Sequence, residues 1–150
     1  MVIADSKDEV GITPIDYFSW GHIDMGIGSF ILLSLINIVP TLIEKAEEQI
    51  NNIPWWLMIV IVIIIMICWE LFENTVLYKF GAKFENRKDT LVNATWDVIF
   101  GIIGGFYMWI IKGALVNLIG VEMIPAYFIV GIITFLICLI GFFIGRAISK

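Results

Sequence analysis

The sequence predicts an all-α, polytopic membrane protein: four transmembrane helices in one bundle, with both termini in the cytoplasm. Three observations lead there. First, 60% of the 150 residues are hydrophobic, against roughly 45–50% in soluble domains, and the mean hydropathy is +0.96. Second, four stretches carry the roughly 20 mainly apolar residues that a spanning helix needs. Third, the basic residues divide unequally between the two sets of connections. A chain of this length makes a single membrane domain, 1–150.

The first span covers about 21–43, with Pro40 near its far end. The second covers about 54–78 and opens on Pro54, whose fixed φ suits a first helical turn. The third covers about 90–111 and the fourth about 124–144. The first connection, EKAEEQINN, reads as a solvated acidic loop, and the second, KFGAKFENRKD, is polar and mixed in charge. The third, GALVNLIGVE, is apolar enough to lie along the membrane interface, with a plain turn as the alternative.

With four spans, the N-terminus, the second connection and the C-terminus share a side. That side holds Lys7, Lys79, Lys83, Arg87, Lys88, Arg146 and Lys150, and the other holds Lys45 and Lys112. Short basic connections stay in the cytoplasm, so both termini are placed there, in the cell membrane. Tyr17, Trp20, Trp55, Trp56 and Tyr78 fall near span ends, as an aromatic belt requires. The opening MVIADSKDEVGITPID holds more acid than base and does not read as a secretory signal. Basic residues never form a stripe with stacking aromatics, so nucleic acid is not an expected partner. Cys68 and Cys138 lie in apolar runs and read as small buried hydrophobes.

Once the spans have a direction, their polar residues converge. His22 and Asp24 enter with the first span. Glu70, Glu73 and Asn74 return with the second, Glu70 roughly 12 Å and Glu73 roughly 7 Å inside Tyr78 at 1.5 Å per residue. The third span begins with Asp89, followed at successive turns by Asn93 and Asp97. Glu70, Glu73 and Asn74 are spaced i, i+3, i+4 and share a face. Asp89, Asn93 and Asp97 form a stripe that continues through Gly101 and Gly104, beside Gly105. Small residues let helices approach closely in lipid, so that stripe faces a neighbouring helix. The glycines of GIIGG are packing residues rather than a phosphate loop, since no strand precedes them.

A charged group at the centre of a span costs about 2.5–3.5 kcal/mol on insertion scales, and crowding carboxylates together in low dielectric raises that cost. Three solutions are open: some carboxylates stay protonated, Arg87 folds inward as a counter-ion, or a divalent cation sits between them. Hard cations favour oxygen ligands, which this cluster offers together with an imidazole.

Three segments resemble a group of small, uncharacterised bacterial membrane proteins. DYFSWGHIDMG (16–26) is similar to that group's first-helix His box, CWELFEN (68–74) to its Trp-Glu-x-x-Glu-Asn box, and RKDTLVNATWDVIFGIIGG (87–105) to its Asp-Ser-x-x-Asn-x-x-x-Asp box. In the last, Thr90 replaces Ser. The order of boxes more distantly resembles VanZ-like proteins, whose second box has Gln where this chain has Asn74. Met25 stands where the closer group often repeats a His. The resemblance implies a four-helix membrane fold and, for VanZ-like proteins, a link to glycopeptide-antibiotic tolerance.

The function expected is that of a metal-assisted hydrolase or transferase at the cytoplasmic leaflet, acting on a lipid or other amphiphilic, phosphate-bearing substrate. Glu70, Glu73, Asp97 and His22 would hold Mg2+, Mn2+ or Zn2+, with Glu73, Asp97 and His22 as the catalytic groups and Glu73 the general base. Asn74, Asn93, Asp24 and Asp89 would orient those ligands by hydrogen bonds. Arg87 and Lys88 would meet the anionic headgroup. The alternative is a cation- or proton-binding transport component, or a non-enzymatic accessory subunit. The bilayer is the first partner in either case, with a second copy or another membrane protein as a further one.

Overall fold

The computed structural model describes residues 3–4, 6–44, 53–83 and 86–148, with side chains for all of these except 40–44. The acidic connection over 45–52, including Lys45, and Lys150 at the C-terminus lie outside the described residues. Four helices account for most of the fold: α1 (Phe18–Glu44), α2 (Trp55–Phe72), α3 (Leu91–Lys112) and α4 (Ile124–Ile148). All four are long and apolar enough to cross a membrane. α2 and α3 each run on through a π-helical turn, Glu73–Leu77 and Gly113–Asn117. The expected starts agree to within three residues; α2 itself stops at Phe72 against 78 expected, with its π turn carrying it to Leu77, and α4 runs on to Ile148 against 144.

Local chemistry fixes where the helices begin. The Asp16 carboxylate accepts from Phe18 N at 2.8 Å while Ser19 Oγ accepts from Asp16 N at 3.2 Å, a reciprocal cap on α1. Thr90 Oγ1 accepts from Asn93 N at 3.2 Å and caps α3. At the other end of the bundle, Asn37 of α1 exchanges two hydrogen bonds with the backbone of Ile53 and so sets the entrance to α2.

Glycines of α3 set the spacing of the bundle. A side chain on Gly104 would run into Ile23 O, and one on Gly26 into Gly101 O, so the backbones of α1 and α3 touch. On the other side of α3, Gly101 receives Met66 and Gly105 receives Val62, both of α2. Ile27, Phe30, Met58, Met66 and Met108 fill the centre without exposure. α4 lies mainly on α1, where Gly141 meets Trp20 and Gly145 meets Tyr17. Leu32, Ile64, Ile103 and Ile133 face outward, as in a multi-pass membrane protein.

The N-terminal segment, the α2–α3 connection and the end of α4 share one end of the bundle, because Arg87 reaches the Lys7 carbonyl and Gly145 packs on Tyr17. In the third connection Leu118, Ile119 and Val121 are exposed. The cysteine expectation holds for Cys138, which is buried. It fails for Cys68, which is exposed, because its position on α2 points away from the other helices.

Substituting Gly104→Val drives a branched side chain into the backbone of α1 and is expected to destabilise the protein by about 3 kcal/mol, the upper end for overpacking. Gly113→Ala, where a new Cβ meets nothing within 4 Å, is expected to leave stability nearly unchanged. Thermal unfolding in detergent micelles compares the two.

Candidate functional site

At the end shared by the N-terminal segment, three helices present their polar side chains to one another. His22 of α1 stands between Glu70 of α2 and Asp97 of α3. Its Nδ1 is 3.5 Å from Glu70 Oε1 and its Nε2 is 3.6 Å from Asp97 Oδ2. All three side chains are more than nine-tenths buried. Both gaps exceed a normal N–H···O hydrogen bond of about 2.7–3.2 Å. His22 Nδ1, Glu70 Oε1 and Asp97 Oδ1 accordingly have no hydrogen-bond partner among the described residues.

Glu73, where α2 widens into its π turn, completes a group. One ligand atom each from His22, Glu70 and Glu73 lies within 4.8 Å of the others. Two ligands about 2.1 Å from a tetrahedral ion stand roughly 3.4 Å apart, so the 3.5 Å between His22 and Glu70 suits a shared cation. The donor set, an imidazole and two carboxylates, suits a divalent ion. Asp97 was expected among the ligands and is outside this group. It faces the opposite ring nitrogen, because His22 intervenes between α2 and α3.

The cation that balances this end is Lys83. Its ammonium bonds Asp89 and lies 3.4 Å from Glu73 Oε1, with a side chain only 4% exposed. Nothing in the sequence distinguishes Lys83 from the other basic residues of its connection, and only the path of the loop turns it inward. Asn74 ties the same region together. It donates to the Glu70 carboxylate at 3.2 Å and to Asp89 at 3.0 Å, and its Oδ1 accepts from Asp89 N at 2.8 Å. Asn74 and Asp89 thus orient Glu70 and Lys83.

Other expected roles are changed. Arg87 is neither an inward counter-ion nor free for a headgroup. It donates to the carbonyls of Lys7, Asp8 and Val10, holding the N-terminal segment across the bundle end. Lys88 is exposed and sits over the Tyr78 ring. Asn93 turns to that same segment, donating to Thr13 O at 2.9 Å and Asp16 Oδ2 at 3.3 Å, not to the His22 group. Asp24 is two residues from His22, hence on another face of α1. It shares a stripe with Gly21 and Gly28, which meet Phe142 and Phe135 of α4, and its buried oxygens have no hydrogen-bond partner among the described residues.

Asp16 is the other functional residue that the sequence does not mark. Beyond capping α1 it accepts from Gly11 N at 2.9 Å. Burial holds its carboxyl above the ordinary carboxylate range, and the like charge of Asp89 adds to this, against the backbone hydrogen bonds from Gly11 and Phe18. A cavity of about 20 Å³ lies at this end, lined by Val10, Gly11, Phe18, His22, Glu73, Lys83, Arg87, Asp89, Asn93 and Asp97. No known protein family, curated protein or solved structure matches the chain.

Removing the Lys83 ammonium leaves buried carboxylates facing each other. Lys83→Met is therefore expected to cost about 3–5 kcal/mol, as when one partner of a buried pair is lost, and adding Asp89→Asn recovers part of it; thermal unfolding of both variants checks this. A second outcome concerns pH. Because the Asp16 carboxyl is raised in the packed state, packing of the N-terminal segment is strongest below the ordinary carboxyl value of 3.8 and weakens as pH rises above it. Amide exchange at Gly11 across that range follows this trend in the wild type and loses it in Asp16→Asn.

Proposed function

We propose that this chain is an integral protein of the cell membrane, with both termini in the cytoplasm, whose polar end binds a divalent cation through His22, Glu70 and Glu73. The observation that supports this best is the pair of buried atoms His22 Nδ1 and Glu70 Oε1, which face each other at 3.5 Å without a hydrogen-bond partner among the described residues. A cation there offsets the carboxylate charge that makes this end costly in lipid. The mixed nitrogen and oxygen set favours Zn2+ or Mn2+ over Mg2+. On the far side of the ring, the Asp97 carboxylate faces Nε2 at 3.6 Å, and its negative charge favours a proton there, the tautomer whose Nδ1 lone pair faces the ion.

Three protein ligands leave positions for water or substrate. A bound divalent ion supplies an activated water and polarises a phosphoryl oxygen. The reaction class is metal-assisted hydrolysis or group transfer on an amphiphilic, phosphate-bearing substrate at the cytoplasmic leaflet. Glu73, with a side chain 19% exposed, is the group on the wetter edge and serves as general base. The exposed Lys88 meets the headgroup.

The size of the cavity favours a second reading. About 20 Å³ is room for a water or an ion, as a cation-binding transport component or an accessory subunit needs. The unexposed Ile27, Phe30, Met58, Met66 and Met108 argue against passage through a single chain. Loss of cation flux into proteoliposomes in Asp97→Asn would favour transport, and turnover of a phospholipid would favour the enzyme.

Chelator-stripped protein in detergent is expected to bind one Mn2+ per chain, measured by electron paramagnetic resonance. His22→Ala and Glu70→Gln abolish binding, and Asp97→Asn weakens it about 10–100-fold, as loss of the carboxylate behind a ligating imidazole does. Wild-type protein that takes up neither Mn2+ nor Zn2+ stoichiometrically overturns the proposal.

A further inference from the structure

We propose that residues 6–17 form a lid that shuts the His22 site off from water, and that Arg87 is its latch. The purpose given to the lid rests on the reading of this site as a cation centre; the occlusion itself does not. Val10 and Gly11 wall the cavity on the side of the N-terminal segment, opposite His22, Glu73 and Asp97, and the space within is about 20 Å³. That is room for about one water. Neither a hydrated divalent ion nor an amphiphilic headgroup reaches His22 through it, so the segment has to move before either can arrive.

The way the segment is held suits such movement. Its fastenings are mainly hydrogen bonds to its own carbonyls: Arg87 to Lys7, Asp8 and Val10, Thr90 to Gly11 at 2.8 Å and Ile12 at 2.9 Å, and Asn93 to Thr13 at 2.9 Å, with Asn93 also bonding the Asp16 carboxylate. Apart from Tyr17 at its α1 end, buried against Gly145 and Phe142 of α4, apolar anchoring is thin: Ile12 is 45% exposed and Val10 is the one buried aliphatic side chain among the described residues of the segment. A segment with polar fastenings and little buried apolar area opens at far lower free energy than the helices beneath it.

The closed position is nonetheless specific. At Gly11 φ is +74°, and a Cβ there would come within 2.7 Å of Asp89 Oδ1. Only glycine both adopts that backbone and lets it close onto the carboxylate that pairs with Lys83. The hinge lies where Asp16, bonded to Gly11 N on one side and Phe18 N on the other, joins the segment to α1.

His22 is the single histidine of the chain, so its carbethoxylation by diethyl pyrocarbonate, located by peptide mass, reads water access to the site without any metal. In metal-free protein, Arg87→Ala and Arg87→Lys are expected to raise that rate about tenfold, the effect of losing one or two net hydrogen bonds. Lys79→Ala, which removes an exposed cation at the same end, leaves the rate unchanged. Amide exchange in the wild type is expected to show residues 6–17 opening well before α1 and α3, and the Arg87 variants to speed exchange in that segment alone.

Rates at His22 that are equal in wild type and both Arg87 variants overturn the lid. So does a wild-type segment that exchanges only together with α1 and α3, a measurement that stands even if a variant fails to fold. If His22 access responds as expected while Mn2+ does not bind, the lid stands and the cation reading falls. If Mn2+ binds and access is unchanged, the reverse holds.

Discussion

The close approach of α1 and α3 is the constraint on which the polar end depends. Gly26 and Gly101 bring the two backbones into contact, and in lipid such packing, more than any hydrophobic drive, holds helices together. His22 lies four residues before Gly26 and Asp97 four residues before Gly101, one helical turn in each case. The contact between imidazole and carboxylate is therefore the next rung after the contact between glycines. α2 joins the ladder in the opposite direction. Met66 fills the space over Gly101, and Glu70 follows one turn later. Three polar groups meet because three packing contacts, each a turn away, leave them no other place.

That geometry concentrates negative charge. Among the described residues, Asp16, Glu70, Glu73, Asp89 and Asp97 gather at this end with one buried ammonium, that of Lys83, and one imidazole. Buried like charges without compensation are costly. The hydrogen bonds of Asn74 and the backbone caps on Asp16 disperse part of the charge, and the segment over 6–17 keeps water from doing so. The same exclusion of water that raises this cost strengthens the grip of the remaining carboxylates on any cation that replaces water.

Much of this was legible in the sequence because it follows from periodicity. Four apolar runs place the helices, spacings of three and four place Glu70, Glu73 and Asn74 on one face, and the Asp97–Gly101–Gly104 stripe marks the packed face of α3. What stayed hidden depends on paths that periodicity does not encode. Lys83, Arg87 and Lys88 are near neighbours in a loop, yet one is buried against Glu73, one grips backbone carbonyls and one lies over Tyr78. Asp16 and Asn93 take their roles from a non-helical segment that folds back over the bundle. Asp24 looked like a companion of His22 by proximity in sequence, but a separation of two residues turns it toward α4.

The placement of Asp24 bears on how the molecule is made. α1, α2 and α3 complete the polar end among themselves, and all three leave the ribosome before α4. Until α4 arrives, the stripe of Gly21, Asp24 and Gly28 lines an uncovered groove, and a carboxylate left there carries part of the insertion penalty that reaches about 2.5–3.5 kcal/mol for a charge at a span's centre. Phe135 and Phe142 close over the flanking glycines when the last helix docks. Docking of α4 thus hides an acid, and a nascent chain stalled before that step displays the acid to the machinery that surveys unfinished membrane proteins.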